Sequence, residues 1–238
     1  MPTSLFRMLA RVIVFLMILL IGKIVVAVIW GYRNYFPPSF DSEFLFGREG
    51  YFFHGYQFPF YLHLATGPLS LVLGLLLISN RFRVQFPGWH RRLGRVQGMV
   101  VLLGVAPSGL GMAWHTSTGP IAGAAFVVSA LLTAATVVLG WRAAIRKQFA
   151  AHRRWMFRCY LLLCSAVVIR VLGGLGTVLV VQGSWYDPAI SWLSWLGPLI
   201  VFELMESRKR RQKQQRRIFI EISTPRASNP HLDSLSIR

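Results

Sequence analysis

Four histidines occupy matching places in two similar stretches of this chain. His63 and His115 each open a His-x-x-Thr-Gly-Pro motif, whereas His90 and His152 each open a His-Arg-Arg motif. A long apolar segment separates the two motifs in both stretches. The opening motifs lie 52 residues apart and the closing motifs 62, so the second stretch is about ten residues longer. Such self-similarity predicts a repeated unit, here a helical hairpin of a kind common in membrane proteins.

Two pairs of imidazoles would suit two haem groups. If the hairpins pack about an axis along the membrane normal, His63 approaches His115 and His90 approaches His152 at equal depth. Each pair would then provide both axial ligands of one haem b iron, in the manner of transmembrane cytochrome b proteins. One hypothesis is therefore a haem-binding electron-transfer protein.

The alternative is a set of interfacial histidines in a non-redox protein. His90 and His115 flank one apolar segment, and at 1.5 Å per residue they lie ~37 Å apart, farther than a ~30 Å hydrocarbon core. Both therefore belong to the membrane interfaces, where an imidazole can cap a helix or bind a lipid headgroup. Under this hypothesis the protein is a small transporter or a lipid-interacting structural component.

Arg170 is the deepest ionisable residue of the repeated region. It lies about twelve residues into the fifth apolar segment, hence ~18 Å from its start and near the middle of the membrane. A charged side chain at that depth costs at least ~2.5–3.5 kcal/mol, so it needs a compensating partner. The candidate partners are a haem propionate, a quinone oxygen, backbone carbonyl groups or water.

Each His-Arg-Arg motif continues with a further arginine. These side chains would form an anion pocket, because guanidinium groups bind phosphate and carboxylate through two parallel hydrogen bonds. They equally suit loops that orient the protein and contact anionic phospholipid. The arginines concerned are Arg91, Arg92, Arg95, Arg153, Arg154 and Arg158.

The composition is that of a membrane protein. The 238 residues are 54% apolar and 14% charged, with a net charge of +18, and this apolar fraction is too high for a water-soluble domain. The basic residues lie between apolar segments, so lipid headgroups rather than nucleic acid explain the charge. No nucleotide-binding loop or Ser-His-Asp arrangement is present. The residues leave open whether the protein is an enzyme.

Six apolar segments are long enough to cross a ~30 Å core and predict an all-α integral membrane protein. Basic residues alternate between connections, which predicts a cell-membrane protein with both termini in the cytoplasm. Segments two to five would form a pseudo-twofold four-helix core, with hairpins at 56–114 and 115–181 in a domain of residues 1–206. Residues 207–238 are expected to be a disordered basic tail that binds anionic headgroups. The segments are predicted at 12–32, 56–79, 96–114, 121–141, 159–181 and 189–205.

Four stretches also carry a family resemblance: His63 with Gly67-Pro68, the run 87–96, the run 152–160 leading to Arg170, and the run 192–195 leading to Glu203. They resemble a family of predicted bacterial membrane proteins known as the domain of unknown function 2306 (DUF2306) family. The resemblance covers roughly residues 50–206 and implies membrane topology without an established activity. The family typically has Gln after Gly-Pro-Leu and Tyr after Gly-Arg-Val, where this chain has Ser70 and Gln97.

Overall fold

The computed structural model describes residues 2–42, 44–181 and 183–223. It is 85% helical, and the described residues contain no β-strand. Six of the described helices are long and apolar enough to cross a membrane, which confirms the predicted all-α, six-span architecture. They are called span 1 to span 6 below: Phe15–Asn34, Glu49–Ile78, Pro87–Trp114, Pro120–Ile145, Phe149–Val178 and Tyr186–Arg216.

The helical geometry changes within several spans. Span 2 is kinked within Phe52–Tyr56, where His54 and Gly55 leave the helical conformation and Gly55 has a φ of 116°, and span 3 contains a π-helical turn at Val100–Val105. A π turn holds more residues than an α turn, so the residues beyond it are rotated relative to a regular helix. The α-helices are Pro2–Gly31, Glu49–Tyr51, Gln57–Ile78, Asn80–Gln85, Pro87–Met99, Ala106–Trp114, Pro120–Ile145, Phe149–Leu163, Ser165–Val178 and Tyr186–Ser223.

Spans 2 to 5 form a four-helix ring, in which each span packs against the next and span 5 returns to span 2. Span 1 packs against spans 2 and 5. Glycines permit the close approach, because they leave no side chain between neighbouring backbones. A Cβ at Gly104 would lie 2.5 Å from Thr66 Cγ2, and one at Gly74 would lie 2.6 Å from Tyr160 Cδ2.

The two His-x-x-Thr-Gly-Pro motifs do not occupy equivalent places. The first lies inside the helix Gln57–Ile78, which continues through Pro68. The second forms the connection between spans 3 and 4, where Gly119 has a φ of 93° and Pro120 is the first helical residue. Glycine adopts positive φ readily, and proline suits the first position of a helix. The two openings therefore match in sequence but differ in their position relative to the helices.

Both His-Arg-Arg motifs lie on helices, not in the loops where the sequence analysis placed them. Span 3 begins at Pro87 rather than at residue 96, and span 5 begins at Phe149 rather than at residue 159. Hydropathy located the apolar part of each span, but a helix also includes polar first turns. The basic arginines are therefore held on the first turns of two spans.

A buried arginine ties the connection after span 1 to the ring. Arg48 is 8% exposed and donates hydrogen bonds to Phe44 O at 2.7 Å, to Tyr56 Oη at 3.0 Å and to His115 O at 3.0 Å. Aromatic rings surround it, and we call this end of the bundle the aromatic end. The opposite end, which carries the two His-Arg-Arg motifs, is the basic end. The core of the aromatic end consists of Leu45, Phe52, Tyr56 and Phe60.

By its internal contacts the chain divides into two units, residues 1–199 and 200–238. The described part of the expected tail, residues 207–223, belongs to the helix Tyr186–Ser223. Arginine, lysine and glutamine are good helix formers, and these residue types dominate the run 208–217. Residues 224–238 lie outside the described part of the chain.

We expect Gly104→Ala to destabilise the ring. The new methyl group would meet Thr66 Cγ2 at 2.5 Å and Thr66 Cβ at 2.9 Å, so spans 2 and 3 must separate. Such overpacking costs roughly 1–3 kcal/mol, more than alanine gains in helix propensity. The measurement is the thermal unfolding midpoint in detergent. Gly22→Ala is the matched control, since a Cβ there meets nothing within 4 Å; equal midpoints for the two variants would contradict the close packing.

We also expect Arg48→Met to destabilise the aromatic end. The substitution leaves the Phe44 and His115 carbonyl oxygens without their charged donor, at about 1.5–3 kcal/mol per bond. Arg33→Met removes the same charge at the same end of the bundle, where Arg33 is exposed and lies over the Trp30 ring. We expect chemical unfolding in detergent to give a free energy of unfolding for the Arg48 variant that is well below that of the Arg33 variant. The reverse order would rule out a structural role for Arg48.

Candidate functional site

His90 on span 3 and His152 on span 5 both lie at the basic end, and the two side chains interact electrostatically. His152 Nδ1 lies 2.9 Å from Gly140 O, a carbonyl that can only accept, so Nδ1 carries the proton and Nε2 keeps its lone pair. His90 Nδ1 is buried and has no hydrogen-bond partner among the described residues. His90 Nδ1 is thus an imidazole nitrogen whose hydrogen-bonding capacity the described residues leave unused.

Arginines surround the histidine pair. Arg83 interacts electrostatically with His90, and Arg91, Arg92 and Arg95 are exposed on the first turns of span 3. On span 5, Arg153 is exposed, Arg154 is half-buried and Arg158 lies 4.6 Å from the centre of the Trp155 ring. The predicted anion-binding arginines are thus placed on the same two helix starts as the histidines.

His63 is held by a serine of span 3. Its Nδ1 lies 3.0 Å from Ser108 Oγ, and Ser108 Oγ in turn donates to Val105 O at 3.1 Å. Because the serine hydroxyl has one proton, which goes to Val105, the ring nitrogen Nδ1 donates to Ser108. His63 Nε2 therefore keeps its lone pair. The ring lies beside Gly67, where an added Cβ would be 3.8 Å from Nε2.

The structure does not bring His115 to His63. His115 packs in the aromatic end, with its ring stacked on Tyr51 at 4.9 Å and its Nδ1 3.2 Å from Gly111 O. The partner of His63 is Ser108, seven residues before His115 and so ~10 Å away along the helix. The haem expected between these two histidines therefore stays a prediction, and no contact between His63 and His115 supports it.

Arg170 belongs to a polar cluster in the aromatic half of the bundle. Its Nη1 donates to Ala166 O at 2.8 Å, so a backbone carbonyl provides part of the expected compensation. Arg170 also interacts electrostatically with His63, Tyr32 and Tyr35. Tyr32 reaches the same level of span 2 by donating to Leu64 O. We call Arg170, His63, Ser108, Tyr32 and Tyr35 the Arg170 cluster.

Sequence reasoning missed three members of this cluster. Tyr32 lies in the last turn of span 1 and Tyr35 follows it. Both belong to an aromatic-rich stretch, and nothing local distinguishes them from their neighbours. Ser108 lies in the apolar span 3, where its burial (1% exposed) marks it only once the fold is known. A hydroxyl inside an apolar span is the one signal that could have identified Ser108.

One family model matches the chain over residues 60–206, with the description "Predicted membrane protein (DUF2306)". No curated protein and no solved structure matches it. The matched range contains all four paired histidines and Arg170, whereas Tyr32, Tyr35 and Arg48 precede it. The description supports membrane location and says nothing of chemistry.

The two positions at which this chain departs from the resembling family contact each other. Gln97 Nε2 donates to Ser70 O at 3.0 Å, and both side chains are buried, at 8% and 1% exposure. Gln97 Oε1 has no hydrogen-bond partner among the described residues. Tyr160 lies beside them, against Gly74. The departures are therefore one local change in the interface of spans 2 and 3.

We expect Ser70→Gln and Gln97→Tyr, which introduce the residues that the family resemblance leads us to expect at these positions, to be coupled. Each single substitution enlarges a buried side chain against an unchanged partner, so each should lower the thermal midpoint. The double variant should lose less than the sum of the two, with a coupling of roughly 0.5–3 kcal/mol. Ser70→Gln combined with the exposed Arg33→Met is the additive control. Additivity in both pairs would contradict the contact.

Proposed function

The chain belongs to the DUF2306 family of predicted membrane proteins, and on that premise we propose that it is a haem-binding electron-transfer protein that holds haem b through His90 and His152. The observation that carries this proposal is the buried, unpartnered Nδ1 of His90 beside His152. A buried polar atom without a partner is unfavourable unless a further group satisfies it. Two neutral imidazoles from two helices are the ligand set of a b-type haem.

The hydrogen bond of His152 supports its role as an axial ligand. Metal-binding histidines usually donate their other ring N–H to a carbonyl or carboxylate, which fixes the ring and raises its basicity. Gly140 O provides that acceptor at 2.9 Å. The bond comes from span 4, so three spans of the ring take part in holding the ligand.

The arginines at the helix starts supply the matching charge. Haem carries two propionate carboxylates, and exposed guanidinium groups bind carboxylates through strong, charge-assisted hydrogen bonds. Arg91, Arg92 and Arg153 are exposed next to the two histidines along their helices. They can also contact anionic lipid headgroups at the membrane interface. A bound haem would supply one-electron transfer, and the residues named here bind and orient it.

The proposal assigns a single haem, because His63 is engaged by Ser108 and His115 is stacked on Tyr51 in the aromatic end. The alternative is a non-redox transporter or a lipid-interacting structural protein. The following experiment distinguishes the haem protein from this alternative. Cytoplasmic termini and location in the cell membrane remain predictions from the distribution of basic residues.

We expect the full-length protein, expressed with ample haem and purified in detergent, to show a Soret band and α and β bands that sharpen on reduction with dithionite. His90→Leu and His152→Leu should abolish these bands, whereas His54→Leu, outside both pairs, should keep them. His90→Met should retain haem with a raised reduction potential, since methionine ligation raises it. Size-exclusion profiles check that each variant is folded.

Two results would overturn the proposal. The first is a colourless wild-type protein after expression with haem, and the second is an unchanged spectrum in both His90→Leu and His152→Leu. A haem content of two per chain would instead favour the two-haem arrangement predicted from the repeat.

A further inference from the structure

The Arg170 cluster joins an incompletely bonded cation to an imidazole with a free lone pair. Arginine has five N–H donors, and Ala166 O is the hydrogen-bond acceptor for Arg170 among the described residues. His63 has its Nδ1 engaged by Ser108, which leaves Nε2 as an acceptor. The cluster therefore offers several donors and one acceptor at the same level of the bundle. None of these groups contributes to the His90–His152 pair.

Bare helix surface lies next to both polar side chains. Gly173 and Gly174 are three and four residues beyond Arg170, and so adjacent to it on the helix surface. An added Cβ at either glycine would meet nothing within 4 Å. At Gly67, four residues beyond His63, an added Cβ would meet only the ring of His63 itself within 4 Å. The backbone of each helix is thus open beside its polar side chain, and a flat group can approach each of them closely.

The surface around Arg170 is exposed on a helix that suits a membrane crossing. The Arg170 side chain is exposed, and its apolar neighbours Val171 and Leu175 are 41% and 49% exposed. All three belong to span 5, whose length and composition suit a membrane crossing. A ligand reaches this position most directly from the hydrocarbon phase, so it must be soluble in lipid.

We propose that Arg170 and His63 bind the head group of a lipid-soluble quinone. Arg170 donates to an oxygen of the ring, and His63 Nε2 accepts from the hydroxyl of the reduced, quinol form. A fatty-acid carboxylate fits less well, because it has no donor for His63 and would place a negative charge against the imidazole lone pair. The tyrosines of the cluster provide aromatic neighbours for a ring. This site is independent of the proposed haem.

The test is a binding titration of the full-length protein in lipid nanodiscs with decylubiquinone, oxidised and reduced. We expect Arg170→Gln to weaken binding of both forms, by roughly tenfold or more, as for loss of a hydrogen bond from a charged donor. His63→Phe should weaken the quinol more than the quinone. Arg33→Gln removes an exposed arginine at the same end and should bind as the wild type does. Arg170→Lys, which keeps the charge, should lie between wild type and Arg170→Gln.

The outcomes separate this site from the haem. His90→Leu should bind decylubiquinone with unchanged affinity, and Arg170→Gln should keep the haem spectrum. Equal affinities for wild type, Arg170→Gln and Arg170→Lys would overturn the quinone proposal and leave the haem proposal standing. Oleate that binds more tightly than decylubiquinone and displaces it would also overturn it, in favour of a carboxylate site. Thermal midpoints identify any variant that fails to fold, and His63→Phe then decides the matter.

Discussion

The need to satisfy every polar group inside the hydrocarbon is the constraint on which this structure depends. A membrane interior provides no water, so backbone groups are paired within helices and side-chain hydroxyls turn to nearby carbonyls. Thr133 and Thr136 do so in span 4, and Ser70 does so in span 2. Against this regularity, four buried side-chain atoms of the described residues have no hydrogen-bond partner: His90 Nδ1, Gln97 Oε1, Tyr160 Oη and Trp195 Nε1. The proposed haem site contains the first of them, and the proposed quinone site contains the Arg170 guanidinium, for which Ala166 O is the acceptor among the described residues.

The sequence predicted the architecture well because apolar length is a local property. Six spans and their order follow from counting apolar residues, and the ring of spans 2 to 5 follows from the repeat. The pairing of His90 with His152 across that ring stays a prediction. Helix starts were placed too late in spans 3 and 5, since hydropathy does not register polar helical turns. Arg48, Ser108 and Tyr32 were missed because their importance lies in contacts with residues 67, 45 and 32 positions away, respectively.

His63 and His115 show why a shared motif need not give a shared role. His63 lies within a helix and contacts the neighbouring span, whereas His115 follows the last turn of span 3 and packs among tyrosines. The difference arises at the Gly-Pro step. Gly67 and Pro68 are helical, whereas Gly119 precedes a new helix that begins at Pro120. The residues that precede each motif decide whether its Gly-Pro step is helical. Span 2 has already begun before the first motif, whereas span 4 begins only at the end of the second.

The π-helical turn of span 3 limits how the two similar stretches can be compared. Such a turn holds more residues than an α turn does. One additional residue displaces the residues beyond Val105 by about 100° around the helix axis from where a regular helix would place them. Span 3 must therefore be compared with span 5 separately on each side of the Val100–Val105 turn, because a single register carried through the turn would superimpose residues that face different neighbours.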